Sequence, residues 1–398
     1  MPFTTFDIRY PLQAEFLVNL KPMKRILLLI ACAISTTDIY AQDTPNQIHV
    51  HTRIIDFPDI PGYLTLACDL HIHTAFSDGY VWPNIRVQEG VKDGLDAIAI
   101  TDHIEYRPHI DDIPFPDANR SYQIAVEEAI DQDILIINGT EMTRSMPPGH
   151  ANAVFLNDVN ALILKDSMAQ FEAAKAQSAF VFWNHPSWIG QRSDGIATLL
   201  PIHEELIAKG QLQGIEVVTE HVYSNEALQI ALDNDLTIMS TSDIHGLIDW
   251  DYNIADGGHR PATLVFAHEK SVASLHDALI NKRTVALFED MLIGRAEYLN
   301  PLLEAILTVE KAVFIEDTEI AKITLVNNSS VNFILINNSE FTLHEHTEVV
   351  TIGHHETVDL KVKTIERVEQ LELIFTVMNA LTAPKTHPTL RFSIIIDK

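Results

Sequence analysis

Basic side chains are scarce in this 398-residue sequence. It contains 27 lysine and arginine residues against 55 aspartate and glutamate residues, which gives a formal net charge of -28 at pH 7. A surface with this excess of negative charge repels polyphosphate backbones and anionic lipid headgroups. The composition therefore argues against a protein that binds long nucleic acids or anionic membranes.

Cysteine is almost absent, because the chain contains only Cys32 and Cys68. Cys32 lies in an N-terminal segment that we expect to be removed, which would leave Cys68 alone. A single cysteine cannot form an intrachain disulfide, so we expect the core, with or without a metal, to hold the fold. Cys68 lies inside an apolar run and is predicted to be a small buried residue.

Several catalytic signatures are also missing. The chain has no Gly-x-Ser-x-Gly sequence, so a serine hydrolase has no support, and it has no glycine-rich phosphate-binding loop. Internal repeats and low-complexity tracts are absent as well. Hydrophobic residues nevertheless make up 46% of the sequence. The length allows one large domain of roughly 200 to 250 residues and a smaller one, and intrinsic disorder is excluded as the main state.

The N-terminus has the features of an exported protein. Met23-Lys24-Arg25 precedes nine apolar residues, 26–34, and a more polar stretch ends at Ala41. A basic start, a short apolar run and a small residue at the cleavage point predict a signal peptide over residues 23–41. The apolar run is too short to span a bilayer. We therefore expect a periplasmic or secreted protein.

A signal peptide over residues 23–41 also implies roles for the segments on either side of it. Residues 1–22 would be an over-extended, non-native N-terminal segment, and residues 42–60 would be a linker. A lipoprotein cleavage site that leaves a lipid anchor on Cys32 is the alternative.

Two regions differ in their pattern of apolar runs. Between residues 61 and 295, strand-length runs alternate with helical segments, which predicts an α/β domain that is barrel-like or doubly wound. From 296 to 398 the runs are short and β-prone, which predicts a small β-sandwich-like domain. The strand runs of the first domain are Leu66–Leu70, Ala97–Ile100, Ile134–Ile137, Ala153–Leu156, Ala179–Trp183, Ile215–Val218 and Leu236–Met239. Its predicted helices include 119–131, 166–177 and 224–233.

Residue types that bind metals follow five of these apolar runs. In α/β barrels the carboxyl ends of the strands converge on one face, so these side chains are predicted to share a pocket. Residues two apart on a strand point to the same side, which pairs His71 with His73 and Asp243 with His245. Histidine and carboxylate sets without cysteine suit zinc, manganese or iron. The strand-end residues are His71, His73, Asp102, His103, Glu141, His185, Asp243 and His245.

Other histidines lack this context. We expect the lone ones to be surface or hydrogen-bonded residues, and those of the C-terminal domain to be exposed rather than metal ligands. The lone histidines are His109, His203, His268 and His276; those of the C-terminal domain are His344, His346, His354 and His355. We expect the C-terminal domain to have a structural or dimerising role.

The strand-end residues lie in recognisable motifs. The first two are Asp69-Leu70-His71-Ile72-His73-Thr74-Ala75-Phe76-Ser77-Asp78-Gly79 and Ile100-Thr101-Asp102-His103. Gly139-Thr140-Glu141, Gly149-His150, Asn184-His185-Pro186 and Ser242-Asp243-Ile244-His245 follow in order. Over residues 61–295 these motifs resemble a PHP (polymerase and histidinol phosphatase) domain. The segment Thr101–His109 and the appended domain are most similar to the exported Sb-PDE family of phosphodiesterases.

The resemblance implies a distorted (β/α)7, TIM-like barrel with two or three divalent metal ions. A carboxylate at Asp78 would suit a harder ion such as manganese in the third site. The implied ligands are His71, His73, Glu141 and Asp243 for the first metal, Glu141 with His150 and His185 for the second, and Asp78, His103 and His245 for the third.

The resemblance further implies hydrolysis of a small phosphate diester by a hydroxide that bridges metal ions. Glu141 and Asp243 would take part in catalysis as ligands. His221, which follows the run ending at Val218, is a candidate proton donor to the leaving alkoxide. Arginine forks match phosphate oxygens, so the arginines near the motifs are candidate substrate-binding residues: Arg107, Arg144, Arg192 and Arg260.

Other functions remain open at this point. A phosphomonoesterase acting on a nucleotide or a histidinol-phosphate-like substrate would use the same centre, although export argues against a biosynthetic histidinol phosphatase. A DNA-editing nuclease is disfavoured by the acidic charge and by the lack of a polymerase module. A non-catalytic protein that binds metal or carbohydrate at a surface is the third alternative.

Overall fold

The computed structural model describes residues 54–254, 257–345 and 347–397. The predicted N-terminal extension, the signal peptide and Cys32 lie outside these residues, as does His346. Among the described residues, no helix is long and apolar enough to cross a membrane.

A mixed sheet organises the first domain. Its strands are buried over most of their length; β1, for example, is covered from Leu66 to Ile72, as expected for a sheet with packing on both faces. The strands are β1 (Leu64–Ile72), β2 (Ala97–Ile100), β3 (Leu135–Met142), β4 (Ala151–Val154), β5 (Phe180–Trp183), β6 (Gly214–Thr219), β7 (Val222–Tyr223), β8 (Thr237–Thr241), β9 (Ala262–Ala267), β10 (Thr284–Phe288) and β11 (Met291–Gly294).

Eight helices are described along the chain. The three predicted helices are present as α2, α3 and α5. Side chains cap two of them at the N-terminus, because Asp166 accepts hydrogen bonds from Met168 N and Ala169 N, and Ser224 accepts one from Ala227 N. The helices are α1 (Pro83–Asp93), α2 (Arg120–Glu128), α3 (Ser167–Ala176), α4 (Pro201–Ala208), α5 (Asn225–Asp233), α6 (Ile248–Asp251), α7 (Val272–Ile280) and α8 (Ala296–Ile306).

The sheet curls so that the chain after β8 returns to β1, in the middle of the sheet. Its order runs β11-β10-β9-β1-β2-β3-β4-β5-β6-β7, and β8 pairs with β6. The residues after β8 then return to β1, where Asp243 N donates to His71 O at 3.0 Å and His73 N donates to Ile244 O at 3.1 Å. This closure brings the end of β8 against the end of β1, although the two strands are about 170 residues apart in sequence.

The predicted alternation of strands and helices in the first domain is confirmed in part. Each predicted run overlaps a strand, but the run 153–156 ends early, because the chain turns at Phe155 with a φ of 66°. Antiparallel pairs interrupt the parallel arrangement at β3/β4, β4/β5, β1/β9 and β9/β10. The structure is therefore a curled, half-barrel sheet, and the count of seven β/α units is not confirmed.

The C-terminal region is a sandwich of two four-stranded antiparallel sheets. Burial alternates along its strands, as in β13, which is what a sheet with one covered face requires. One sheet has the order β12-β13-β17-β15 and the other β16-β14-β18-β20. The strands are β12 (Leu307–Phe314), β13 (Ile320–Asn327), β14 (Phe333–Asn337), β15 (Thr342–Leu343), β16 (Val349–Ile352), β17 (Thr357–Lys363), β18 (Gln370–Val377), β19 (Ala380–Leu381) and β20 (Thr389–Ile395).

The sandwich is joined to the first domain through backbone pairing. Strand β19 extends the first domain's sheet by pairing in parallel with β11, where Leu292 lies opposite Ala380. Asn379 reinforces the junction, because its side-chain nitrogen donates to Asp290 O and to Asn332 O. A sheet edge that would otherwise present free N–H and C=O groups is thus covered.

Candidate metal centre

The ends of β1, β2, β3, β5 and β8 and the loop before β4 bring histidine and carboxylate side chains to one place. Within the described residues, three groups of such side chains have ligand atoms that lie within 4.8 Å of one another. These groups contain the nine predicted ligands: His71, His73 and Asp243; Glu141, His150 and His185; and His73, Asp78, His103 and His245.

In the first group, two imidazoles and one carboxylate point at a common centre. The Nε2 atoms of His71 and His73 are 3.0 Å apart. Asp243 Oδ1 lies 3.1 Å from His71 Nε2 and 3.0 Å from His73 Nε2. The alternation of side chains along β1 places both rings on the same face, as the His-x-His spacing predicted.

The second group is connected to the first by Glu141. Its Oε1 lies 2.9 Å from His150 Nδ1 and 3.4 Å from His185 Nε2. Its Oε2 lies 2.7 Å from His103 Nδ1 of the third group, and it also faces the first group, at 3.5 Å from His73 Nε2 and 3.7 Å from His71 Nε2. One buried carboxylate therefore presents one oxygen to the second group and the other oxygen to the first group and to His103, as a ligand shared between ions would.

Asp78 forms the third group with three imidazoles. Its Oδ1 lies 3.2 Å from His245 Nε2, 3.4 Å from His103 Nε2 and 3.9 Å from His73 Nδ1. Gly79 follows, and a Cβ at that position would lie 2.9 Å from the backbone of His73. The absence of a side chain at Gly79 allows the loop to fold back onto β1 and brings Asp78 to the cluster.

The donor atoms of these groups fit divalent metal ions. Asp78 Oδ1, Glu141 Oε2 and Asp243 Oδ1 are buried, and the imidazole nitrogens that face them do not have the geometry of a hydrogen bond. A buried carboxylate oxygen without a partner is costly, and a cation removes that cost. A set of imidazole nitrogens and carboxylate oxygens without a thiolate suits zinc, manganese or iron.

The pKa values of the cluster also indicate a site for positive charge. Burial opposes ionisation of Glu141, but His103 and His71 outweigh it and hold the pKa of Glu141 well below its usual range. Burial likewise opposes protonation of His103, yet Glu141 and Asp78 raise its pKa to about 10. Burial and the charge of His103 lower the pKa of His73 to about 4, which leaves its ring neutral and able to bind metal.

Two ligands occupy an unusual backbone conformation. His185 has a φ of 28° and Asp243 a φ of 48°, in the left-handed region that most side chains avoid. Such residues are costly and persist where the surrounding structure holds them, often at functional sites. Each lies two residues after the end of a strand, β5 for His185 and β8 for Asp243.

Glu216 is a residue of this site that the sequence did not indicate. Its Oε1 accepts a hydrogen bond from His71 Nδ1 at 2.8 Å and from Thr241 Oγ1 at 2.6 Å. Its Oε2 accepts from the backbone N of His185 at 2.6 Å. This carboxylate fixes the ring orientation of His71, as carboxylates behind metal-binding histidines commonly do. The signal in the sequence was a lone glutamate within an apolar strand.

Arg86 is a second such residue. Its guanidinium is fully buried beneath the cluster and donates to four backbone carbonyls, those of His73, Ile244, His245 and Gly246. The arginine therefore ties the loop after β1 to the loop after β8. Nothing in its helical position in α1 predicted this role.

The structure contradicts the predicted role of Arg260 in substrate binding. The side chain is fully buried, and it contacts Asp69 Oδ2 at 3.1 Å and Asp93 Oδ2 at 2.7 Å. Asp69 in turn accepts hydrogen bonds from Ser242 N and Oγ, next to the ligand Asp243. Arg260 therefore supports the site from behind. It does not line the cavity that opens in front of the metal ligands.

The other three arginines and His221 also lie off the lining of that cavity. Arg144 is held by Glu105 at 3.0 Å, and Arg192 donates to Thr198 Oγ1 at 2.8 Å. Arg107 stacks over the ring of Phe115. His221 packs against Tyr252, with ring centroids 4.9 Å apart. Arg107 Nε also donates to the backbone O of His103 at 3.4 Å. The predicted roles of these four residues stay predictions.

His203 is the buried exception among the lone histidines. It is fully buried, stacks on Trp183 with ring centroids 4.0 Å apart, and its Nε2 lies 2.6 Å from Pro148 O. It is therefore a hydrogen-bonded residue of the core, one of the two expected environments.

A cavity of about 540 Å³ opens in front of the ligands. On one side it is lined by Trp188 and Ile189, which follow His185, and on another by Val222, Tyr223, Glu220 and Glu226 around β7 and the start of α5. Among the described residues that line it, none is lysine or arginine. A molecule in this cavity would contact the ligand groups, an aromatic surface and several carboxylates.

The protein has a curled α/β sheet, and carboxylates and imidazoles gather at the ends of its strands. These features define it as a metal-binding α/β protein. Within that class, the chain belongs to the PHP family. The PHP domain model matches residues 69–229, and the model of an Ig-like domain matches residues 307–393.

Similarity to one solved two-domain structure supports this assignment. A two-domain protein from Bacteroides vulgatus ATCC 8482, described as containing a predicted PHP-like metal-dependent phosphoesterase, is 40% identical to this chain. The match covers 86% of this chain and 98% of that chain, with a TM-score of 0.80. PsfC from Pseudomonas syringae PB-5123 is 19% identical, over 56% of this chain and 91% of its own, with a TM-score of 0.38. No curated protein matches the chain.

Proposed function

We propose that this protein is an exported, metal-dependent phosphoesterase that hydrolyses a small phosphate diester. The observation that carries the proposal is Glu141, which presents one oxygen to each of two ligand groups. PHP-family membership and the phosphoesterase description of the Bacteroides vulgatus relative support it. The narrower assignment to the Sb-PDE family and the export signal rest on the sequence alone.

The nine ligands would hold two or three divalent ions. When bound, such ions supply the charge that activates water and neutralises the phosphoryl oxygens. The side chains contribute the arrangement: Glu216 orients His71, and Arg86 fixes the loops that carry His73 and His245. An array held in place before substrate binds is what electrostatic catalysis requires.

The lining of the cavity favours a diester over a monoester. A monoester dianion is best bound where several cationic side chains converge, whereas a diester carries a single negative charge. The described lining contains no lysine or arginine, and it contains Glu216, Glu220 and Glu226 besides the ligands. The metal ions would therefore supply the positive charge for the substrate, and a second negative charge would be poorly compensated.

A side-by-side assay tests this proposal. Purified protein is supplied with bis(p-nitrophenyl) phosphate and with p-nitrophenyl phosphate, and kcat/KM is measured for each. We expect the diester to be the better substrate. A higher kcat/KM for the monoester would support a phosphomonoesterase, and no turnover of any phosphate ester by the metal-loaded protein would refute the enzymatic function.

A further inference from the structure

We propose that the substrate is a zwitterionic phosphodiester, in which one esterified alcohol bears an ammonium group of the ethanolamine or choline type. The inference rests on the proposed phosphodiesterase function and concerns the part of the cavity beyond the metal ligands. There the lining changes from imidazoles to aromatic side chains and carboxylates.

The aromatic part of this wall adjoins the second ligand group. The ring of Trp188 lies 5.2 Å from that of His185 and 5.8 Å from that of His150, measured between centroids. Trp188 is 48% exposed, so a large part of its surface is open to a ligand. Tyr223 lines the cavity too, and its hydroxyl is tied to Asn225 Oδ1 at 3.1 Å. Tryptophan and tyrosine faces attract ammonium groups.

The acidic part of the wall comes from the turn after β6 and the start of α5. Glu220 follows β6 and has a φ of 52°, and Glu226 lies in the first turn of α5. Glu216 is committed to His71, Thr241 and Thr219. Among the described residues, no lysine or arginine forms a salt bridge with Glu220 or Glu226, and Glu226 accepts a hydrogen bond from Ser224 Oγ at 3.3 Å. Both carboxylates line the same cavity as the ligands, and Glu220 lies close enough to Asp243 and His245 to interact with their charges.

The cavity therefore offers charge of both signs. Divalent ions held by the ligand groups would supply positive charge for the phosphate, while Glu220 and Glu226 supply negative charge on the wall beside the ligands. A substrate that carries both a phosphate and an ammonium group matches both. A second phosphate or a sugar acid would meet the carboxylates, and long apolar esters would leave them without a partner.

The reaction on this substrate is a hydrolysis. The oxygen of water bonds to phosphorus, the bond from phosphorus to the amino-alcohol oxygen breaks, and that oxygen takes up a proton from the water. The products are a phosphate monoester and a free amino alcohol. No oxidant, reductant or second substrate is needed.

The test compares two diesters that differ in one atom. Methyl phosphocholine carries a quaternary nitrogen, and methyl 3,3-dimethylbutyl phosphate has carbon at that position. Hydrolysis of each by the purified, metal-loaded protein is followed by phosphorus NMR. We expect kcat/KM to favour the cationic ester by about tenfold, mainly through KM, because the ammonium group contacts the aromatic and acidic wall.

Variants locate the effect. The double substitution Glu220→Gln with Glu226→Gln should lower the ratio of the two kcat/KM values toward one, and Trp188→Leu provides the same readout if the double variant fails to fold. Glu172→Gln, on the exposed side of α3, is the matched control and should retain the full ratio. Equal kcat/KM values in the unmodified protein, or a preference that survives both sets of substitutions, would overturn the inference.

A third substrate separates this inference from the function on which it rests. Hydrolysis of bis(p-nitrophenyl) phosphate without a preference for the cationic ester would refute the ammonium site and leave the phosphodiesterase intact. No hydrolysis of any of the three diesters would refute both.

Discussion

Histidines occur in both domains, but their surroundings differ. In the first domain, rings such as His71 and His73 are fully buried at strand ends and face buried carboxylates. In the C-terminal sandwich, the neighbouring His354 and His355 are exposed, and their ring centroids are 6.4 Å apart. Among the described residues, every candidate metal group lies in the first domain. The number of histidines is therefore less informative than their convergence at the ends of strands.

The largest effect is expected for Glu141→Ala. The substitution removes the carboxylate that faces both ligand groups, so it should abolish phosphodiesterase activity and lower the number of metal ions per chain. Activity on bis(p-nitrophenyl) phosphate and elemental analysis of the purified variant provide the two measurements. Full activity with undiminished metal content would show that the strand ends do not form the site.

Arg260→Met should mainly affect stability. Removing the guanidinium leaves Asp69 and Asp93 buried without their counter-ion, and breaking a buried pair costs about 3–5 kcal/mol of unfolding free energy. Chemical denaturation measures this loss. If Arg260 bound substrate instead, the variant would keep its stability and show a raised KM.

Glu216→Gln should weaken the centre without dismantling it. The amide retains the shape of the side chain but not the charge that orients His71, and such a loss costs about 10- to 100-fold in metal affinity or activity. Titration with a competing chelator measures the affinity. Glu205→Gln, an exposed residue of α4 that pairs with Lys209, is the control and should leave the affinity unchanged.

The smallest effect is expected in the sandwich. Replacing both His354 and His355 with alanine should change the unfolding free energy by less than about 0.5 kcal/mol, because exposed side chains contribute little. Metal content and activity should stay the same. Loss of a metal ion from this variant would mean that the sandwich carries a site of its own.

These contrasts also indicate what the sequence could reveal. Most of the ligands could be predicted because they lie shortly after apolar runs, and because spacings such as His71 to His73 select one face of a strand. Asp78 and His150 were indicated only by the resemblance to the PHP motifs. The sandwich could be predicted from its short β-prone runs. Both kinds of signal are local, so they survive without knowledge of distant contacts.

Long-range partners could not be predicted in this way. Arg260 pairs with residues 167 and 191 positions away, so its sequence neighbourhood gave no sign that its charge was already neutralised. Arg86 contacts backbone carbonyls, which carry no sequence signature. Strand β9 pairs antiparallel with β1 and with β10, although this region was expected to form a parallel sheet. The apolar residues of a strand do not by themselves distinguish parallel from antiparallel pairing.

Metal dependence is the most direct test of the account. Protein purified without added chelator is analysed for bound metals, assayed with bis(p-nitrophenyl) phosphate, stripped with a chelator, and assayed again after manganese, zinc or iron is restored. We expect two or three divalent ions per chain, loss of activity on stripping, and recovery with at least one of these ions. A metal-free preparation that retains full phosphodiesterase activity would contradict the account.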